Sequence, residues 1–215
     1  MKVICTTSDK YLHLIPVMTY LFNKNWDANQ EVTIVGYQSP KCELPLNFKF
    51  HSMGVQGHVS EWSTDLRKYF ETIEDEWFVW IMEDTFIKSM TGIPSLSEMF
   101  NDHYNVGRID LTGDLQKRFH SVNKDLTIII GDSNVGYRLS TQPSIWNKRF
   151  LLQYMLPGLT PWKFETQDPR NDNWTILSFY HPPMKHNEGV RKHDPHLLNL
   201  DGLPIEDCQH INTLL

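Results

Sequence analysis

An α/β fold, with helices laid on the faces of a sheet, is what this sequence predicts, and three observations predict it. Apolar runs of strand length alternate with segments of helical spacing through the first half of the chain. The run at residues 77–82 is apolar throughout and rich in aromatic and β-branched types, as expected of a central parallel strand covered on both sides. With 215 residues, 40% of them hydrophobic, and seven Trp, the chain has enough apolar volume for one sizeable core.

The elements follow in order. Residues 2–6 form a short apolar run closed by Thr, Ser and Asp, a first buried strand. Ser8 or Asp9 caps a helix reaching about Lys24, with Leu12, Ile15, Thr19 and Phe22 near one face. Pro16 either kinks that helix or marks its true start. Residues 31–36 are a second strand, 39–47 a loop with two prolines, and 48–53 a third, weaker strand. After a loop punctuated by Gly54 and Gly57, residues 63–74 take helical spacing, with Leu66, Tyr69, Phe70 and Ile73 on one side beside Trp62. The apolar run 77–82 comes next and ends in the adjacent carboxylates Glu83 and Asp84.

The second half is less regular. Ser95 and Glu98 have capping-box spacing, which opens a short helix. Residues 106–112, 126–130, 137–140 and 174–180 are strand candidates, and 145–156 reads as an amphipathic helix closed by Pro157 and Gly158. No repeat, low-complexity tract or linker interrupts the chain. One domain over residues 1–180 is expected, with 181–215 as a His-rich tail or lid packed on it.

Composition excludes some functions. Lys and Arg number 20 against 26 acidic residues, a formal charge of −6, which argues against a general nucleic-acid binder but leaves room for one phosphorylated small ligand. Cys5, Cys42 and Cys208 are far apart in sequence and make no metal spacing, so they read as reduced thiols. Residues 3–5 are too short an apolar run for a signal peptide, and no stretch approaches the roughly 18 apolar residues of a membrane span. A cytoplasmic protein with no transmembrane segment is the expectation.

In open α/β sheets, ligands collect beyond the carboxyl ends of the strands. Thr6, Thr7 and Asp9 lie there after the first strand, and Glu83 and Asp84 after the fourth. Two adjacent carboxylates suit a hard divalent cation that shares oxygen ligands with phosphates. The alternative is that one carboxylate caps the next turn and the other is solvated.

Four segments together carry a resemblance: VICTTSD at 3–9, WFVWIMEDTF at 77–86, LSTQPSIW at 139–146 and LTPWKFE at 159–165. In order and spacing, over roughly residues 2–180, the chain resembles a small GT-A-fold glycosyltransferase of the kind found in bacterial and phage genomes. The resemblance implies a mixed, mostly parallel sheet with helices on both faces. It also implies transfer of a hexosyl group from a UDP- or GDP-type nucleotide-diphosphate sugar to a glycan or other hydroxyl. Such enzymes use an Asp-x-Asp-like motif to hold Mn²⁺ or Mg²⁺ against the donor diphosphate. Here the motif is Met82, Glu83, Asp84, so one carboxylate of that pattern is missing or displaced.

On this resemblance Asp84 is the foremost metal ligand, and Glu83 meets the metal through water or bonds the ribose. Thr6, Thr7 and Asp9 serve the nucleoside. Glu165 stands where such enzymes place the acidic residue near the acceptor, and it is the candidate general base. The alternative for Glu165 is local pairing, with Trp162 and Phe164 filling core. Trp146 or Trp162 would line the acceptor cleft, although most of seven Trp must be core. Arg108 and Asp110 alternate along a strand and either contact donor hydroxyls or form a structural ion pair. Arg138 faces the same choice.

Four of the ten His fall between His181 and His196, with no zinc spacing. They read as a titrating surface tail, from which His181 is the one offered to the metal. Lys185, Arg191 and Lys192 would meet the diphosphate if the tail closes as a lid. Two rival functions remain. One is a catalytically inactive GT-A-like protein that binds sugar or a partner; the other is a metal-dependent hydrolase using the His-rich tail.

Overall fold

The computed structural model describes residues 1–96, 105–113, 119–121, 126–129, 137–167, 172–191 and 194–215. The chain forms two compact units. An N-terminal unit comprises Val3–Gln56, Ile81–Thr91 and Met184–Leu215, and a central unit comprises Met1–Lys2, Gly57–Trp80 and Gly92–Pro183.

The N-terminal unit is built on strands β1 (Lys2–Thr6), β2 (Val32–Gly36) and β3 (Phe48–Ser52), in the order β3-β2-β1 with both pairings parallel. Their Val and Ile side chains are almost wholly buried. A 3₁₀ turn at Asp9–Leu14 leads into helix α1 (Ile15–Phe22). Pro16 sits in the first turn of α1, where its missing N–H leaves no bond unmade, so it marks the true start of the helix. After Glu83 and Asp84 the chain enters strand β5 (Thr85–Met90), not a helix. β5 pairs antiparallel with β11 (Met184–Glu188), and β12 (Val190–Arg191) pairs with β13 (Asp194–Leu198).

Helix α5 (Ile205–Leu214) completes this unit. It is fastened to α1 through Asp207, whose Oδ1 accepts hydrogen bonds from the Tyr20 hydroxyl at 2.6 Å and from Lys24 Nζ. The residues after 183 are thus built into the unit as strands and a helix.

In the central unit the strand order is β4-β9-β6-β10-β8-β7. These are β4 (Trp77–Met82, whose last two residues belong to the N-terminal unit), β6 (Val106–Asp110), β7 (Phe119–Ser121), β8 (Leu126–Ile129), β9 (Ser144–Asn147) and β10 (Thr175–Phe179). β9 is antiparallel to both β4 and β6, β10 is parallel to β6, and β8 is antiparallel to β10, so β4, β6 and β10 run one way while β9 and β8 are reversed. The trio of the N-terminal unit is all-parallel and the sheet of the central unit is mixed, in keeping with the mixed, mostly parallel α/β fold class that the sequence predicts.

Helices α2 (Trp62–Glu71), α3 (Lys148–Tyr154) and α4 (Pro161–Glu165) pack with the central strands. The core between them is aromatic. The Trp80 ring lies 5.6 Å from Trp146, 5.3 Å from Phe70 and 6.1 Å from Phe164. Gly107 lets Phe150 stack on Trp146 and join this core, because a Cβ there would fall 2.5 Å from the Phe150 ring.

Two predicted elements differ. The helix expected over 145–156 starts only at Lys148, because Ser144–Asn147 is needed as the strand between β4 and β6. Asn147 then caps α3, accepting from the N–H groups of Arg149 and Phe150. The strand expected at 137–140 is a turn, with Tyr137 at φ 66° and the Ser140 N–H bonded to the Tyr137 carbonyl. The capping box at 95–98 ends outside the described residues, as does most of the loop 168–173.

Gly107→Ala is expected to destabilise the protein by about 1–3 kcal/mol through overpacking against Phe150. Phe150→Leu in the same chain should recover part of the loss, read as Tm in thermal melts.

Candidate functional site

The carboxyl end of β4 delivers Glu83 and Asp84 into a two-residue turn. The turn is tied down on its Glu83 side by the Glu83 N–H, which donates to the Thr6 carbonyl at 3.2 Å. On its Asp84 side the Gly189 N–H donates to the Asp84 carbonyl at 2.5 Å. Position 189 has no room for a side chain: a Cβ would lie 2.8 Å from the Phe86 ring and 3.1 Å from the Asp84 Cα. Glycine there lets the β11–β12 connection run directly over the acidic turn.

The two carboxylates differ in setting. Glu83 is only 3% exposed, and its Oε2 is buried with no hydrogen-bond partner among the described residues. Burial, and then the neighbouring Asp84 charge, push its carboxyl well above the usual carboxylate range. Backbone N–H groups at Glu83 and Ser8 pull the other way. Asp84 is half-buried. Cys5 is fully buried on β1, and burial, Glu83 and Asp84 all hold its thiol protonated.

Around the turn, Thr6 and Thr7 are buried, and the Thr7 N–H donates to the Val35 carbonyl, extending the β1–β2 pairing. Asp9 is held by its neighbours at the strand ends. Its carboxylate accepts the Gln38 N–H and side-chain amide at 3.0 Å each, and its own N–H donates to Gln56 Oε1 at 2.9 Å. Gln38 and Gln56, which follow β2 and β3, were not singled out from sequence. Their positions just past two strand ends were the available signal. Gly189 offered only an isolated glycine in a polar stretch.

The other candidates lie in the central unit. Arg108 is fully buried on β6, with its guanidinium 5.2 Å from the Trp146 ring, Nε bonded to Ser144 Oγ and Nη1 bonded to the Arg138 carbonyl. Burial lowers its pKa to about 10, against the opposing pull of Asp110 and Glu165. Asp110 is also fully buried, and its oxygens accept from the Thr112 N–H and hydroxyl, the Gly113 N–H and the Ser178 hydroxyl. Those bonds occupy it in holding the turn after β6. Arg138 pairs with Asp172 at 2.8 Å.

Trp146, expected on a cleft wall, is core: it has no exposed surface, stacks on Phe150 and packs at a tilt against Phe164 and Trp80. Trp162 is 68% exposed on α4. On the same helix Glu165 is half-buried, with Oε1 accepting the Thr141 N–H and hydroxyl at 2.6 Å each. His181 is exposed after β10, edge-on to Tyr180.

A divalent cation takes about six oxygen ligands. Among the described residues no three His, Cys, Asp or Glu side chains converge to hold a metal ion. The acidic turn nevertheless offers two adjacent carboxyl groups, one with an unpartnered buried oxygen whose ionised form a nearby cation would favour. Among the described residues this donor set would suit a cation that draws its other oxygens from a phosphate ligand. No helix among the described residues is long and apolar enough to cross a membrane.

No family model and no curated protein matches the chain. Among solved structures, the galactosyltransferase LgtC in complex with donor and acceptor sugar analogs overlaps it with a TM-score of 0.39 at 9% identity, covering 71% of this chain and 60% of that one. An active-site mutant of LgtC overlaps with the same TM-score and identity, over 59% of its length. The chain thus spans about three fifths of the structures it matches, and overlap this loose carries nothing about substrate.

Because the folded state keeps Glu83 protonated to a higher pH than the unfolded chain does, this group favours folding most in acid. Its contribution is lost as pH rises through the raised value. Glu83→Gln is therefore expected to melt a few degrees above the wild type at neutral pH, the gap closing as pH falls to about 4. Gly189→Ala should loosen the acidic turn, seen as roughly tenfold faster hydrogen exchange of the position-189 amide.

Proposed function

We propose that this chain is a nucleotide-sugar-dependent glycosyltransferase, moving a hexosyl group from a UDP- or GDP-type donor to a hydroxyl of a glycan. The observation that carries the proposal is the acidic turn at the carboxyl end of β4, bonded through Glu83 to the end of β1. That is the position at which an α/β sheet gathers a phosphorylated ligand. The resemblance of the four sequence segments to GT-A glycosyltransferases points the same way.

In this scheme Asp84 faces the donor diphosphate as the principal cation ligand, and Glu83 joins it once ionised. When bound, Mn²⁺ or Mg²⁺ would offset the negative charge that grows on the departing diphosphate. The ends of β1 to β3, with Thr6, Thr7 and Asp9, shape the nucleoside side. Helix α4 serves the acceptor. Trp162 presents its exposed ring to a sugar face, and Glu165, oriented by its two bonds from Thr141, takes the proton of the attacking hydroxyl. Arg108, Asp110 and Trp146 are assigned to supporting these elements from inside the core. His181 stays a secondary candidate for the cation.

The burial of Glu83 favours one rival, a protein that binds nucleotide-sugars without turning them over. A thermal-shift panel of UDP-, GDP-, CMP- and dTDP-sugars with and without Mn²⁺, followed by a donor-hydrolysis assay, separates the two. Mn²⁺ alone should move Tm little, whereas Mn²⁺ with the cognate nucleotide should raise it. Hydrolysis should fall about 100-fold or more in Asp84→Ala. Binding with no hydrolysis in the wild type would establish the rival, and no stabilisation by any nucleotide-sugar would rule out both.

A further inference from the structure

We infer that a cavity of about 500 Å³ in the N-terminal unit is a second ligand site, and that its ligand is a saccharide unit. The volume falls in the usual range for small-molecule sites. One wall is a face of α1 carrying Pro16 and Tyr20, continued by Lys24 in the turn just past its end; the others come from Pro45 in the β2–β3 loop and from His210 and Leu214 on α5. None of these residues belongs to the acidic turn, and the inference stands whether or not the chain transfers sugar.

The chemistry of the walls selects the ligand. Lys24 and the Tyr20 hydroxyl both donate to Asp207 Oδ1. Asp207 is 1% exposed and does not line the cavity; the Tyr20 hydroxyl, which does, spends its proton on Asp207 and keeps an oxygen able to accept. Lys24 is more than a third exposed and has further N–H donors to offer. A ligand group that both donates and accepts extends such a network, and a hydroxyl does so where a carboxylate or phosphate only accepts.

Charge points the same way. The Lys24 cation is matched by Asp207, and Glu43 adds a negative charge to the lining, so the cavity has no excess positive charge to hold an anion. The remaining surface is apolar and aromatic. The exposed His210 ring lies 4.5 Å from that of Tyr20, and Pro16, Pro45 and Leu214 complete a surface suited to the C–H face of a pyranose. Vicinal hydroxyls on one edge and an apolar face on the other describe a sugar ring.

The test is ligand-observed saturation-transfer NMR on the full chain with methyl glycosides of galactose, glucose and N-acetylglucosamine. It is run on the wild type and on His210→Ala, Lys24→Gln and Asp84→Ala, each first checked for folding by thermal melt. His210 is exposed, so its variant should fold even if Lys24→Gln does not. Binding of at least one glycoside is expected, weakened roughly tenfold in His210→Ala or Lys24→Gln and kept in Asp84→Ala. Three outcomes overturn the inference. These are no transfer to any glycoside, transfer unaffected by the cavity variants, and displacement of the bound glycoside by inorganic phosphate. Loss of transfer in Asp84→Ala alone would place the sugar at the acidic turn and likewise overturn it, while leaving the proposed function intact.

Discussion

The hydrogen bond from the Glu83 amide to the Thr6 carbonyl, with the Glu83 carboxyl buried beside it, is the constraint on which the candidate site depends. A strand as apolar as β4 is held in place by burial along its length, so the position of its last residue is set by packing and not by the charges beyond it. The backbone bond then turns Glu83 inward and leaves Asp84 half-exposed. Two carboxylates adjacent in sequence are thereby given unlike surroundings, one buried and one half-exposed.

The buried acids of the central unit are satisfied by partners where Glu83 is not. Asp110 is equally buried, yet its oxygens receive four hydrogen bonds from Thr112, Gly113 and Ser178, which is how a structural carboxylate is made tolerable inside a protein. Asp172 is paired with Arg138 and bonded by the Tyr154 hydroxyl at 2.5 Å. Glu83 keeps an unpartnered oxygen and a second negative charge beside it. A buried polar group left unsatisfied costs stability, and such costs cluster where a ligand supplies what the fold withholds.

Much of the framework was visible in the residue pattern. The strands β1 to β4, β6 and β10 and helix α2 were found from apolar runs and spacing, because burial on both faces or along one stripe leaves a direct mark on composition. β9 was misjudged because Ser144–Asn147 is a short strand flowing into α3, and the apolar spacing of the helix extends back across the join. β5 and β11 escaped notice because they pair with each other, and Lys88, Ser89, Lys185 and Glu188 break the apolar pattern. Of the site, the acidic turn itself was visible. Its lock by Gly189 and the grip of Gln38 and Gln56 on Asp9 were not, since each joins residues dozens of positions apart.

The absence of a pre-formed ligand cluster among the described residues bears on how such a site would work. An ion held by three or more side chains is present before substrate and persists after product leaves. An ion held mainly by Asp84, with Glu83 disfavoured from ionising, gains most of its oxygens from the phosphate that arrives with it. Its binding is then coupled to that of the donor, and by linkage the donor's affinity depends on the ion to the same degree. The inward turn of Glu83 would strengthen this coupling, because a cation would offset the burial and the Asp84 charge that hold its carboxyl above the usual carboxylate range. A shortened acidic motif in this setting need not be a decayed one. It is also what a strand end would look like if a cation arrived with the proposed donor.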